Sequence, residues 1–334
     1  MRRAVAAVFG LLAAVAVSTA TWSDPVCRLP RLAHADFAQQ PDGTLLLPVS
    51  VNGQTEYFSL GGGAHSFIYE ADADRLNFGH HHYEADDGLY FGEDEVKLRR
   101  TTDLMIGKVR WRDFEFYPMH KDRPAGQIAI GSLGMNFLAS AQLDVEINTS
   151  ARAINFIAPG ACARPPWVPD GQGRTLAPAN GETSLPVALD GRNFSGIFST
   201  ASLQSSIDVR AFAEAFGHAA EDGLIREFNS LTVDETAIAH PVVNVFTYEN
   251  RDARDYVERR ARALNPYASF PPVVRRGHAD GILWIGLAEL DRMRLYFTFK
   301  QHKVFATPIL GAPNTGIAPP EPAPGPDDVE QHHH

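Results

Sequence analysis

Cysteine is scarce in this chain, with two in 334 residues, Cys27 and Cys162. One pair cannot build a disulfide scaffold, and it offers too few ligands for a metal cage. Basic residues are outnumbered, 30 Lys+Arg against 40 Asp+Glu, for a net charge of −10. That balance excludes a nucleic-acid-binding surface as the main activity. Long apolar runs are also missing: the longest, residues 4–17, falls short of the roughly 20 residues needed to cross a bilayer, so no membrane span is expected. What is present is 44% hydrophobic and 10% aromatic residues, enough to bury the core of a large domain or of two ordinary ones.

The N-terminus reads as a secretory leader. Arg2 and Arg3 precede the apolar run, and Ser18-Thr19-Ala20 supplies the small residues of a cleavage site. Residues 1–20 are therefore expected to be removed, leaving 30 − 2 = 28 basic residues against 40 acidic ones and a net charge of −12. Cys27 follows Asp24-Pro25-Val26, which is not a lipidation signal. The expected destination is outside the cytoplasm, periplasmic or secreted. A thiol pair tends to oxidise in such a compartment, so a Cys27–Cys162 disulfide is expected, with two unrelated buried thiols as the alternative.

Self-similarity organises the rest. Leu47-Pro48-Val49-Ser50-Val51-Asn52-Gly53 returns as Leu185-Pro186-Val187-Ala188-Leu189-Asp190-Gly191, an offset of 185 − 47 = 138. The stretch 104–111 lies over 231–238 at an offset of 127, and 143–148 lies over 293–298 at an offset of 150. The chain reads as a tandem duplication. Each half opens on apolar alternation broken by Asn-Gly or Asp-Gly, the signal of a tight hairpin, and strands dominate both. Helical patterning is limited to residues 71–76, 208–216 and 250–264. The last stretch lies in an insertion of 150 − 127 = 23 residues, while the fall of 138 − 127 = 11 implies that the second half lacks one hairpin of the first. The divisions are a first lobe at 21–158, a Pro- and Gly-rich linker at 159–183, a second lobe at 184–307 and a disordered Pro-rich tail at 308–334.

These motifs resemble the aspartic proteases, in their bacterial retropepsin-like or two-lobed pepsin-like form. Phe58-Ser59-Leu60-Gly61-Gly62-Gly63-Ala64-His65-Ser66-Phe67-Ile68 stands where that family has an apolar strand followed by Asp-Thr/Ser-Gly-Ala, and Ile197-Phe198-Ser199-Thr200-Ala201-Ser202 is its counterpart. Ile130-Gly131-Ser132-Leu133-Gly134 and Asp280-Gly281-Ile282-Leu283-Trp284 resemble the later Asp-Gly-Ile-Leu-Gly signature. The resemblance implies an all-β, two-lobed fold with a few short helices and a cleft between the lobes. In the family two carboxylates share a proton and activate water. Here the first position falls on Leu60 or Gly61, depending on the anchor chosen, and the second on Ser199. None of these can act as a base near neutral pH. Trp284 stands where the signature has glycine.

Other residues offer little chemistry. Ser199 and His65 lie on corresponding turns, but no third group or oxyanion donor accompanies them, and hydrogen bonding within the turns accounts for both. In His80-His81-His82 alternation lets only His80 and His82 converge, so no metal is expected, nor any cofactor. The stretch 83–98 falls where the resemblance places a flap over bound peptide, and Leu89, Tyr90 and Phe91 give its tip apolar bulk; an ordinary exposed hairpin is the alternative. The expected function is an exported pseudoprotease, monomeric, holding an extended peptide or protein segment in the cleft. Gly62, Gly63, His65, Leu89, Tyr90, Phe91, Thr200 and Trp284 are its expected binding residues. Two other readings are an atypical active endopeptidase and an assembly factor docking through the helix at 250–264, whose mixed charges equally fit a solvated face.

Overall fold

The computed structural model describes residues 29–63, 65–84, 95–119, 122–160, 162, 164–169, 172–179, 182–247 and 281–309. The expected leader, Cys27, the residues Leu89, Tyr90 and Phe91, the stretch 250–264 and the Pro-rich tail from residue 310 on lie outside them, while Pro308, expected to begin the tail, ends a strand paired with Met293.

The strands of the described chain form three sheets, and the helices between them are short. Each half starts with the hairpin its turn residues announce. Leu45–Val51 pairs with Gln54–Leu60, and Glu182–Leu189 with Arg192–Phe198. The turns Asn52-Gly53 and Asp190-Gly191 take positive φ throughout, 49° and 81° in one and 45° and 76° in the other. That is the twist a two-residue hairpin loop requires, and Asn, Asp and Gly tolerate it best.

From these hairpins the halves are wired alike. In the first, Gly131–Leu133 lies parallel to Gln54–Leu60 and antiparallel to Phe67–Tyr69, beside which Phe114–Met119 runs parallel. In the second, Ile282–Ile285 lies parallel to Arg192–Phe198 and antiparallel to Ser205–Asp208, beside which Val242–Phe246 runs parallel. The small hairpins Leu104–Ile106/Val109–Trp111 and Ser230–Val233/Thr236–Ala239 pair Leu104 with Trp111 and Leu231 with Ile238, which is the 127-residue offset kept in register. One strand breaks the correspondence. Glu95–Thr101 is followed outward by Gly79–Glu84, whereas its counterpart Leu224–Glu227 is the last strand of its sheet among the described residues. This is the hairpin whose absence the shortened offset implied.

The third sheet has six strands drawn from both halves. Asp144–Asn148 pairs with Met293–Thr298 in a register that sets Glu146 opposite Tyr296. Those two residues are also aligned with each other by the 150-residue offset. Two equivalent residues face each other only where a twofold axis passes between them, so the internal symmetry of the structure runs through this pair. Val145, Ile147, Leu295 and Phe297 turn one face of the sheet into the shared core. Each is at most 1% exposed, and burial at this level contributes on the order of 1.5–3 kcal/mol per side chain.

Several local expectations change. The helices are Glu70–Arg75 and Val209–Phe216, the second capped by Asp208 Oδ1, which accepts from Arg210 N at 2.8 Å, and ended by Gly217 at φ 73°. Two further short helices, Met135–Ser140 and Leu287–Leu290, follow corresponding strands. The expected linker is not structureless: Arg174–Thr175 joins the edge of the six-stranded sheet and Ala177–Ala179 pairs with the following strand. Its Trp167 and Val168 pack with Tyr296 and Phe305 on the sheet's other face. At the opposite edge Arg31–Asp36 pairs with Ala153–Ile157, a strand that mostly exposed polar residues conceal from a reading of alternation.

Candidate functional site

The two Gly/Ser-rich turns meet at the junction of the lobes. Gly61 and Ser199 form an isolated antiparallel bridge, with Gly62 N donating to Phe198 O at 2.7 Å and Thr200 N to Leu60 O at 2.8 Å. Each turn is also hung from its neighbouring strand: Gly61 N donates to Leu133 O and Ser199 N to Ile285 O, both at 2.9 Å. This wiring makes Gly61 the counterpart of Ser199, and Leu60, fully buried, the counterpart of Phe198. Of the two positions that the sequence left open, Gly61 is the one paired with Ser199.

Behind each turn a serine hydroxyl supports the close approach of a glycine. Ser66 Oγ accepts from Gly134 N at 2.9 Å and donates to Asn136 Oδ1 at 2.7 Å. Ser205 Oγ accepts from Gly286 N at 3.0 Å and donates to Glu289 Oε2. A Cβ on Gly134 would lie 2.3 Å from His65 O, and one on Gly286 2.4 Å from Gln204 C, so neither position can carry a side chain. This corrects the placing of Trp284 at the lost glycine. The glycine is kept at Gly286, and Trp284 lies two residues earlier, paired with Ile197 and Ser206 and half-buried against the Phe246 ring at 5.3 Å.

One feature of the junction is unsymmetrical. Thr200 Oγ1 accepts from Leu60 N at 2.9 Å, so Thr200 holds both polar groups of Leu60. The mirror position is Gly62, where a Cβ would come within 2.9 Å of Phe198 N. Thr200 and Gly62 are buried in the junction and so hold the turns together instead of presenting a contact surface. At Gly61, by contrast, the nearest atom to an added Cβ is Phe198 O at 3.5 Å, an ordinary contact.

The chemistry available here is limited. The turns read Gly61-Gly62-Gly63 and Ser199-Thr200-Ala201, with no ionisable side chain. The Ser199 hydroxyl accepts from Ala201 N at 3.3 Å, within its own turn. His65 stands edge-on to Tyr117 with ring centroids 4.6 Å apart, and burial pushes its pKa below the ordinary imidazole value. No hydrogen bond joins His65 to Ser199 among the described residues. His80 is occupied elsewhere, its Nε2 lying 2.7 Å from Arg99 Nη1.

Cross-strand register identifies residues that the sequence did not single out. Ser59, Ser132, Phe67 and Tyr117 form one half-buried row across the first lobe. Ile197, Trp284, Ser206 and Asn244 form the matching row in the second. Alternation puts these rows on the face that also carries positions 61 and 199. The signal in the sequence was period-two alternation, but which strands abut is a property of the topology alone.

The fold is all-β, with two similarly wired halves joined by a shared six-stranded sheet. The chain matches no family model and no curated protein. Among solved structures it is similar to a crystal structure of a retropepsin-like aspartic protease from Rickettsia conorii, at 17% identity over 39% of this chain and 96% of that one, with a TM-score of 0.29. No helix of the described residues is long and apolar enough to cross a membrane.

Proposed function

We propose that this chain is an exported, duplicated aspartic-protease-like protein that has lost both catalytic carboxylates and binds an extended peptide or protein segment between its lobes without cleaving it. The observation that carries the reading is the pairing of Gly61 with Ser199: the cradle of backbone and serine hydrogen bonds is complete, and the two positions it presents hold no acid or base. The rows holding Phe67 and Tyr117 on one side and Trp284 on the other supply aromatic surface flanking a polar centre, suited to side chains of an extended chain whose main chain pairs with strand edges. The test is panning of a peptide library against the mature protein and against a Tyr90→Ala/Phe91→Ala form, alongside digestion of a denatured protein at acid pH. Enriched peptides that bind the double variant more weakly by about 1–4 kcal/mol, with no cleavage, support the reading. Turnover abolished by a transition-state-mimicking aspartic protease inhibitor refutes it in favour of an atypical peptidase. Enrichment of nothing shifts attention to residues 250–264 as a docking helix.

Export carries with it the pairing of Cys27 with Cys162, which would close a loop of 162 − 27 = 135 residues. In the chain-entropy account such a loop contributes about 4–5 kcal/mol. Intact mass after alkylation, with and without reductant, decides it, and two alkylated thiols in unreduced exported protein would refute it.

A further inference from the structure

The two lobes carry equivalent arginines in unequal surroundings. In the first lobe Arg99 lies opposite Phe116, and in the second Arg226 lies opposite Val243, an offset of 226 − 99 = 127 that repeats the one seen in the sequence. Arg99 is 2% exposed, and its Nη2 donates to Glu70 Oε1 at 3.0 Å and to Asp74 Oδ1 at 2.7 Å, both on the helix Glu70–Arg75. Phe67 and Ser206 hold matching places in their sheets, an offset of 206 − 67 = 139, which sets Glu70 and Asp74 on Val209 and Ala213 of the helix Val209–Phe216. The second lobe thus has the arginine and neither carboxylate. Arg226 is exposed; its guanidinium lies over the rings of Phe212 and Phe228, 5.6 Å and 5.3 Å from their centroids, and its Nη1 is 2.9 Å from His218 Nε2. No carboxylate is bonded to it among the described residues, for Glu227 is engaged with His240 Nδ1 at 2.9 Å and Asp222 accepts from Thr247 N at 2.6 Å.

Arg226 stands on Leu224–Glu227, the last strand of its sheet among the described residues, where the first lobe continues with Gly79–Glu84. Phe228 N donates to Pro241 O at 3.0 Å, so with Arg226 opposite Val243 the residues bonded inward are Arg226 and Phe228, and the N–H and C=O groups of Ile225 and Glu227 point off the sheet. The side chains around them are open, Leu224 at 41% exposure with Arg226 and Glu227 also exposed. A strand edge bearing an exposed leucine is ordinarily blunted or covered, because it templates pairing with another chain. We propose that this edge receives an acidic extended segment of a partner protein as an added antiparallel strand, in the place that Gly79–Glu84 fills in the first lobe. Main-chain bonds to Ile225 and Glu227 hold the segment. The residue opposite Arg226 falls in a non-hydrogen-bonded pair, where cross-strand side chains come closest, and an Asp or Glu there supplies the carboxylate that Glu70 and Asp74 give to Arg99. The edge is four strand spacings, about 19 Å, from Arg192–Phe198, the strand that leads to Ser199, so its occupancy is independent of what the cleft holds.

NMR of the mature protein with a capped synthetic peptide, Thr-Val-Thr-Glu-Thr-Val-Thr, titrated to about 1 mM, tests this. The Ile225 and Glu227 amides should shift and exchange more slowly in step with binding, while the side-chain signals of Tyr117 and Trp284 on the cleft rows stay in place. The same peptide with Lys in place of Glu should bind about five- to tenfold more weakly, the effect of turning an opposite-charge cross-strand pair into a like-charge one. Arg226→Gln should bind both peptides alike. Glu227→Pro, which removes an outward N–H and leaves the bonds to Val242–Phe246 in place, should bind neither. Exchange of the strand Ile282–Ile285 is the control that each variant is folded. Unprotected Ile225 and Glu227 amides, equal binding of the Glu and Lys peptides by the wild-type chain, a charge preference that survives Arg226→Gln, or undiminished binding to Glu227→Pro would each overturn the proposal. Shifts confined to Tyr117 and Trp284 would also overturn it, and would put the peptide in the cleft instead.

Discussion

Replacing Thr200 by Val tests whether the one-sided clamp holds the lobes together. Val keeps the shape of Thr200 and removes only Oγ1, which accepts from Leu60 N at 2.9 Å at a site with 0% exposure for both residues. Water cannot take the place of the hydroxyl, and the reciprocal bond from Thr200 N to Leu60 O at 2.8 Å keeps the strands from moving apart to find another partner. The buried Leu60 N–H is then left unsatisfied, at about 1–3 kcal/mol. Thr200→Ser keeps the acceptor and loses one methyl, at about 0.8 kcal/mol. Urea unfolding of the three proteins, extrapolated with a common m-value, should rank wild type above Thr200→Ser and Thr200→Ser above Thr200→Val. Exchange of the Leu60 amide should be faster only in the Val form. A Val variant as stable as the Ser variant, or more so, would refute the reasoning, because packing and not the hydroxyl would then be what the junction requires.

The neighbouring glycines should respond oppositely: Gly61→Ala should be close to neutral and Gly62→Ala should cost about 1–3 kcal/mol, since their added Cβ atoms would meet Phe198 at 3.5 Å and 2.9 Å respectively. Thermal melts of the two variants decide this, and equal losses would contradict it. Glu289 is a buried carboxyl whose pKa burial raises, partly opposed by its bonds to Ser205 and Val242 N. Because the folded state keeps that proton above the unfolded value of about 4.3, the stabilisation is full below that pH and declines as pH rises toward the folded pKa. The stability difference between wild type and Glu289→Gln, followed by urea unfolding from pH 4 to 8, should therefore shift against wild type with rising pH; a difference that does not vary with pH would contradict the assignment.

The parts of the fold legible in the sequence were those encoded locally or by repetition. Asn52-Gly53 and Asp190-Gly191 announced their hairpins, and the stretches matched at offsets of 127 and 150 residues are strands in both halves, although their pairings were not foreseen. The missing hairpin of the second lobe was legible as a deficit in an offset. What failed depended on long-range register. The glycine of the late motif was sought at Trp284 because Ile282-Leu283 imitates the signature, but only the pairing of Phe198 with Ile285 and of Leu60 with Leu133 shows that Gly286 fills that place. The short edge strand Arg174–Thr175 and the cluster around Arg99 were illegible for the same reason. Their partners are 130 residues away for Arg174 and Val304, and 29 for Arg99 and Glu70, with no local pattern to mark them.

The pairing of Asp144 with Thr298 also sets a schedule for biosynthesis. The two residues are 298 − 144 = 154 positions apart, so the first lobe is synthesised long before the strand that completes its sheet. At ordinary translation rates of about 5–20 residues per second, Asp144–Asn148 waits roughly 8–30 s with one edge unpaired, long enough to recruit the wrong strand from a neighbouring nascent chain. Half of this protein expressed alone would keep that edge permanently open, and aggregation should be its ordinary fate.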